Sequence, residues 1–321
     1  MALHQPRVSI GMAIYNEERF LRPALDSLLA QDYSDFELII SDNASTDGTQ
    51  AISREYAARD PRIRYHRNDT NVGATENFNI AFKLSSGKYF MWAGGHDVWA
   101  PTYLSRCVDV LECDATVVVC NSIAQHLSQD GKEFGPTMRQ IDTRRHGLLV
   151  RANLMLWQAS AFVIYAVFRS TAIRQTRLLR RVIGPDLLIG FELSLLGPTA
   201  IVPEPLYFMR DHRGESSRPL KHAQYFKGLQ QRLYSGGKAA VGRFGLVKYL
   251  WEEMRAVQRA PLTWWQRMVL LGCIPPTYLV EFYRYLPEGI RGSFRKLLTR
   301  CFKPPHKEVD TAPLSRVGHR K

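Results

Sequence analysis

The chain has 321 residues, 43 Lys+Arg against 30 Asp+Glu for a formal net charge of +13, and a 45% apolar share. That length and share supply a sizeable core, enough for one large α/β domain with an appendage or for two modest domains. The five cysteines (Cys107, Cys113, Cys120, Cys273 and Cys301) show no CxxC pair and no zinc spacing, which argues against a disulfide scaffold and fits a reducing compartment.

The charge is unevenly spread. Residues 1–218 hold 24 Lys+Arg and 24 Asp+Glu, whereas residues 219–321 hold 19 and 6, so the whole excess sits in the last third. Such asymmetry points to an anionic surface, either lipid head groups or nucleic acid. No apolar leader precedes Val8, and the longest apolar stretch, Met268 to Val280, is interrupted by Gly272, Pro275, Pro276 and Thr277. It is too short to span a bilayer. The expectation is a cytoplasmic protein, peripheral at the inner face of the cell membrane.

Taken in order, Val8 to Met12 reads as a first strand, followed by the loop Ala13 to Asn16. Glu17 and Glu18 open a helix with Phe20, Leu21, Leu25, Leu28 and Leu29 on one face. Phe36 to Ile40 is a second strand running into Ser41 to Thr49, a polar stretch dense in turn and cap residues. A helix from Thr49 to Arg59, a strand from Ile63 to His66, a loop from Asn68 to Gly73 and a helix from Thr75 to Leu84 follow. Tyr89 to Trp92 is a short buried strand ending at Gly94-Gly95, with His96, Asp97 and then Pro101, well placed to open a helix. Strands alternating with helices predict a mainly parallel sheet covered on both faces.

Beyond it the pattern gives a helix to about Cys113, a strand from Thr116 to Cys120, a long polar loop over 128–146 and a helix from Gly147 to Gln158. A strand from Ala161 to Phe168, a basic helix from Thr171 to Arg181 and a helix from Leu187 to Leu196 come next, then short strands at Ala200 to Val202 and Leu206 to Arg210. From about Pro219, aromatic residues and cations alternate along short apolar helices, a texture suited to a membrane interface. Residues 303–321 are polar and read as disordered.

Four pieces carry a resemblance: Val-Ser-Ile-Gly-Met-Ala-Ile-Tyr-Asn from Val8, Phe-Glu-Leu-Ile-Ile-Ser-Asp-Asn-Ala-Ser-Thr-Asp-Gly-Thr from Phe36, Asn-Val-Gly-Ala-Thr-Glu-Asn-Phe-Asn from Asn71, and Tyr89 to Pro101. In order and spacing, this segment resembles the inverting family-2 glycosyltransferases. The likeness weakens over 102–218 and does not extend to 219–321. It implies the GT-A fold, a Rossmann-like, mainly parallel mixed sheet with helices on both faces. To this is added the basic, aromatic-rich helical appendage. The division expected is 1–218 for the GT-A domain (1–101 for the nucleotide sugar, 102–218 for the acceptor), 219–302 for a membrane-peripheral helical region, and 303–321 for a tail.

The resemblance implies roles for particular residues. Ala13, Tyr15 and Glu17 follow the first strand; Tyr15 would pack against the base, the plainer alternative being a partly buried loop aromatic. Asp42 would accept the N–H of a uracil or thymine ring, the plainer alternative being an Asx turn or N-cap. Asn71, Gly73 and Asn79 match the motif that passes near the nucleotide, and also read as a turn entering a helix. Where the family carries Asp-x-Asp-Asp, this chain has Gly94, Gly95, His96 and Asp97. One carboxylate beside an imidazole would turn a Mg²⁺ site toward Mn²⁺ or softer ions. Asp186 falls where the family places the base that deprotonates the acceptor hydroxyl, and reads otherwise as an ordinary acid at a helix start. Arg210 and His212 would add positive charge, and His212 a metal ligand, near the leaving diphosphate.

The function implied is transfer, with inversion, of a sugar from a UDP- or dTDP-sugar to a glycan or lipid-linked acceptor in cell-surface polysaccharide synthesis. Its cofactor would be Mn²⁺ or Mg²⁺, and 219–302 would meet an anionic membrane. The alternative is a catalytically degenerate, membrane-associated nucleotide-sugar-binding or scaffold protein. Nucleic acid is the weakest partner, since the cations are mixed with apolar runs and no nucleic-acid module is visible.

Overall fold

A computed structural model of the chain describes residues 5–138, 141–158, 161–182, 184–211 and 245–285. The sheet begins with β1 (Val8–Ile14), β2 (Phe36–Asp42), β3 (Ile63–Arg67) and β4 (Tyr89–Ala93), which lie in the order β3-β2-β1-β4, all parallel. β2 and β4 are buried at every position, because helices cover both faces of a parallel sheet. Between them run α1 (Leu21–Leu29), α2 (Thr49–Arg59) and α3 (Ala74–Lys83).

The second half mixes directions. After β5 (Val98–Trp99) and α4 (Tyr103–Cys113) come β6 (Val119–Leu127), β7 (Glu133–Met138), α5 (Leu148–Gln158), β8 (Val167–Arg169), α6 (Ser170–Ile173), α7 (Pro185–Leu196) and β9 (Thr199–Arg210). β8 pairs antiparallel with both β4 and β6, while β9 runs parallel to β6 and antiparallel to β5. The fold class is the mixed α/β sheet expected of GT-A.

Two cores flank the sheet. On one side Val8, Ile10, Met12, Tyr89 and Met91 pack with Leu21, Leu25 and Leu28 of α1. On the other, Phe90 and Trp92 meet Phe82 and Phe168, with ring centroids 4.8 Å apart for Phe90–Trp92 and 5.5 Å for Trp92–Phe168. Edge-to-face rings fill this side.

Several predicted elements differ. The first helix begins at Leu21, because Glu18 accepts the Gly48 N–H and the Glu17 N–H goes to Thr49 Oγ1. Part of the 128–146 loop is β7, which folds back on β6 across a turn where Ser128 Oγ accepts the Lys132 N–H. Ala161–Tyr165 is a 3-10 turn, and only Val167–Arg169 of that stretch is strand. The basic helix shrinks to Ser170–Ile173. The residues after it are held by long-range partners instead: Asn79 clamps the Leu179 backbone, and Arg177 pairs with Glu252. The two short strands near 200–210 are one, β9, whose register against β6 shifts around Pro203 and Pro205. Proline cannot donate to a ladder, so the irregularity sits there.

α8 (Gly245–Arg259) and α9 (Trp264–Tyr285) complete the described chain. The chain divides into two compact units, residues 1–277 and 278–321, so α8 and the first part of α9 belong to the unit that holds the sheet. No helix among the described residues is long and apolar enough to cross a membrane. The 303–321 tail lies outside the described residues.

Gly11 makes the close approach of β1 to the aromatic cluster possible: a Cβ there would stand 2.6 Å from Phe90 Cζ and 3.0 Å from Ala81 Cβ. Gly11→Ala should therefore destabilise the fold by about 1–3 kcal/mol through overpacking. A urea midpoint unchanged from wild type would contradict this packing.

Candidate functional site

The loops that follow β1, β2, β3 and β4 all leave the same, carboxyl, edge of the parallel strands, with the strand order reversing at β1. That edge, at a switch point, is where open α/β sheets bind ligands. A polar network fixes it. Asn77 of α3 donates to the Ser41 carbonyl (2.8 Å) and accepts from Ser41 Oγ (2.7 Å) and Asn68 Nδ2 (3.0 Å). Asn43 Oδ1 accepts the Val72 N–H, and Asn16 Oδ1 the Thr46 N–H, both at 2.9 Å. Asn16 and Ala44 take positive φ of 55° and 60°, a left-handed strain that concentrates at functional loops. Asn77 was missed by sequence reasoning although it lies inside the third matching piece; an asparagine on a helix face turned to two strand ends was the available signal.

Tyr15, directly after β1, is 44% exposed and stands over this edge. Ala13 is half-buried beside Ser41. Asp42, at the end of β2, is fully buried: Oδ1 accepts the Ser45 N–H (2.9 Å), and Oδ2 accepts from Tyr65 (2.7 Å) and Arg67 (3.3 Å). The hydroxyl of Tyr65 is in turn pushed above its ordinary value by burial and by this carboxylate. The Asx turn is thus present at Asp42, whose carboxyl is held in place by Tyr65 and Arg67. Asn71 accepts from Asn43 Nδ2 (2.8 Å) and from the Gly73 N–H (2.9 Å), and Gly73 enters α3 at φ +87° with open space where a Cβ would be. Asn79 does not share this edge's network. Both ends of its amide are held, at 3.0 Å, by the Leu179 backbone, so it ties α3 to the segment before α7.

His96 and Asp97 part company. Asp97 is 1% exposed; Oδ2 accepts from the Tyr207 hydroxyl (2.8 Å) and Oδ1 from the Arg210 N–H (2.9 Å). It continues the β5–β9 ladder by one rung made from a side chain. His96 turns the other way, its Nδ1 3.0 Å from Glu17 Oε1, and its Nε2 stays 3.9 Å from Asp97 Oδ1. Arg210 is a brace: Nε donates to the His96 carbonyl (2.9 Å) and Nη1 to the Ser128 carbonyl (3.0 Å), with the guanidinium over Phe20. Arg19, exposed on the same loop and also over Phe20, was not singled out from sequence.

A divalent metal needs several oxygen or nitrogen donors converging on one point. Both oxygens of the only carboxylate left in the motif are engaged by Tyr207 and Arg210, and a Cβ on Gly94 would lie 2.8 Å from Asp97 Oδ2. No group of three His, Cys, Asp or Glu among the described residues is placed to hold an ion, and His212 lies outside those residues. The described side chains do not fit the metal expected at His96 and Asp97.

Asp186 opens α7 behind Gly184, which takes the left-handed φ of 63°, and Pro185 at the first helical position. Burial pushes its carboxyl up to about 6, against which only the Leu187 and its own backbone N–H act. The segment before it is fastened to α3 by Asn79–Leu179 and to the loop after β3 by Arg181 Nη2 on the Val72 carbonyl (3.4 Å). Glu192, further along α7, is pushed up to about 7, also by burial, and accepts the Arg177 N–H at 3.0 Å.

Glycosyl transferase family 2 matches this chain over residues 9–172, which takes in all four strands of the parallel half and the loops just described. The chain belongs to this family. It is 31% identical over 176 residues to the putative glycosyltransferase EpsE of Bacillus subtilis, covering 54% of this chain and 63% of that one. It is 39% identical over 102 residues to the putative colanic acid biosynthesis glycosyl transferase WcaA of Escherichia coli, 32% of this chain and 37% of that one. The chain thus spans less than two thirds of the length of either relative. Among solved structures, S. aureus TarS in complex with UDP-GlcNAc superposes with a TM-score of 0.66 at 15% identity, covering 92% of this chain and 80% of that one. That likeness establishes the GT-A fold.

Two outcomes follow from the geometry. Asp97→Ala orphans two buried donors and should cost about 2–4 kcal/mol, whereas His96→Ala, losing a partly exposed pair, should cost under about 1 kcal/mol; equal melting temperatures for both variants would contradict the clamp. Glu192 has a folded pKa above its unfolded value, so the folded state holds the extra proton. Its contribution is full below pH 4.5 and is lost as pH rises toward about 7, by about 3 kcal/mol at most. Glu192→Gln should flatten the stability curve across that window, as chemical denaturation at several pH values would show.

Proposed function

We propose that the chain transfers a sugar, with inversion, from a UDP- or dTDP-sugar to a glycan or lipid-linked acceptor in cell-surface polysaccharide synthesis. Residues 1–218 would hold the chemistry. The observation that carries the reading is the meeting of β1, β2 and α3 at one carboxyl edge, with an exposed aromatic, a buried carboxylate acceptor and an open glycine. The family match covers that edge.

In this reading Tyr15 packs against the base. Asp42, already fixed by Ser45 and Tyr65, accepts the base-edge N–H with a remaining lone pair. Gly73 lets the chain pass close to the nucleotide, with Asn71 and Ala13 shaping that wall. Glu17 orients His96 toward the phosphates. Arg19 supplies the exposed positive charge for the leaving diphosphate, and Arg210 holds the loop that carries His96. Asp186 takes the proton from the acceptor hydroxyl; its raised value near 6 makes it a stronger base than an ordinary aspartate while still ionised at neutral pH. At the inner face of a membrane, the basic region 219–302 would hold the enzyme beside its acceptor.

Asp186→Asn should lower transfer by about 10²–10⁴-fold with UDP affinity unchanged, and wild-type kcat should fall as pH drops through about 6. Nucleotide release from UDP- and dTDP-sugars, with calorimetric titration of the nucleotide, measures both. Activity that Asp186→Asn leaves intact would remove the base from this residue. Asp42→Asn that binds UDP as wild type would remove the base-edge contact. A chain that binds UDP and never turns over would favour the non-catalytic binder.

A further inference from the structure

Six of the nine large apolar side chains exposed among the described residues (Val247, Trp251, Trp264, Trp265, Met268 and Val269) fall between residues 247 and 269. In α9 they follow the helical repeat. Trp264, Trp265, Met268, Val269, Gly272 and Pro275 face outward within one broad stripe, while Leu270 and Ile274, on the opposite side, are buried at 1% and 0%. Trp264 is 78% exposed, Met268 61% and Trp265 47%. A surface helix ordinarily turns charges to water. Here the outward stripe carries none: the one charged side chain from Trp264 to Pro276 is Arg267, which is half-buried and donates to the Ala260 carbonyl at 3.3 Å. The preceding helix, α8, presents Lys248, Trp251, Arg255 and Arg259 to solvent, with Arg255 over the Trp251 ring at 5.2 Å.

We propose that the outward stripe of α9, led by Trp264, Trp265 and Met268, inserts into the interface of an anionic lipid bilayer. Tryptophan is the side chain that belongs at the head-group level, apolar in its ring and wet at its N–H. An uncharged stripe can be buried among acyl chains without stranding a charge, and the helix lies flat, since it does not span. Charge selects the occupant. Residues 219–321 carry 19 Lys+Arg and 6 Asp+Glu, an excess that anionic lipid attracts. A second copy meeting the same stripe across a twofold axis would instead bring two regions of like charge together. The inference deepens the membrane part of the proposed function, and is independent of the transfer chemistry.

The test is flotation of the full chain with vesicles of phosphatidylcholine alone or mixed with phosphatidylglycerol. Wild type should float with the mixed vesicles, partly released by salt. The combined Trp264→Ser, Trp265→Ser and Met268→Ser variant should partition at least about tenfold less. Trp157→Ser, which removes an exposed tryptophan on α5, should float as wild type, and all three proteins should melt alike. The inference is overturned if the triple variant floats as wild type, if wild type stays with the soluble fraction, or if wild type is a dimer that the triple variant makes monomeric. UDP titration separates the two readings: lost nucleotide binding with flotation intact sinks the transfer reading alone, and the converse sinks the stripe alone.

Discussion

The structure turns on the carboxylate of Asp97. It is buried between the Tyr207 hydroxyl and the Arg210 N–H, and it joins the loop after β4 to the end of β9. β4 belongs to the parallel half and β9 to the half that carries the expected acceptor side, so one side chain couples them. Arg210 reinforces the joint by holding the His96 carbonyl and reaching the turn after β6. A carboxyl group buried in such a place is tolerable because two donors meet it at 2.8 and 2.9 Å. The one acid that this chain has in the motif thus has an architectural role, in its bonds to Tyr207 and Arg210.

The parallel half was legible because its signals are local and repeated. β4 reads as an unbroken apolar run and β2 as one interrupted by Glu37, and α1 between β1 and β2 shows one apolar face. The second half was less so, for stated physical reasons. Residues 174–182 have helical composition but are held by Asn79, Glu192 and Glu252 from three different elements, and long-range partners of that kind leave no periodic trace. β7 is hidden in a polar stretch because it lies off the main strand path and pairs only with β6. Pro203 and Pro205 split one strand into two in the sequence, while the sheet simply absorbs them as a register shift.

The site was legible in part. Asp42 stands at the end of β2, where its side chain makes the Asx turn with Ser45, and Gly73 at the start of α3. Asn79 and Asn77 show the limit. Both sit on α3 within one short motif, and only the direction each side chain takes decides which of them knits the ligand edge. Asn77 points to the ends of β1 and β2, and Asn79 to Leu179. Two residues of the same type, two positions apart on a helix, necessarily face different ways. Composition cannot choose between them.

α8 faces two ways. Its Glu252 is buried and pairs with Arg177, in the segment that leads to Asp186, while Lys248 donates to the Arg181 carbonyl. The Tyr249 hydroxyl, pushed well above its ordinary value chiefly by burial, feels the charge of Asp186 among its neighbours. The helix that carries Trp251 and Arg255 outward is therefore the same one that packs, through its inner face, against the surroundings of Asp186. The exposed Trp251–Arg255 pair on one face of α8 and Tyr249 beside the charge of Asp186 on the other belong to one helix. The proposed membrane contact and the proposed base are thus linked through the packing of a single helix, by Glu252 on Arg177 and Lys248 on the Arg181 carbonyl.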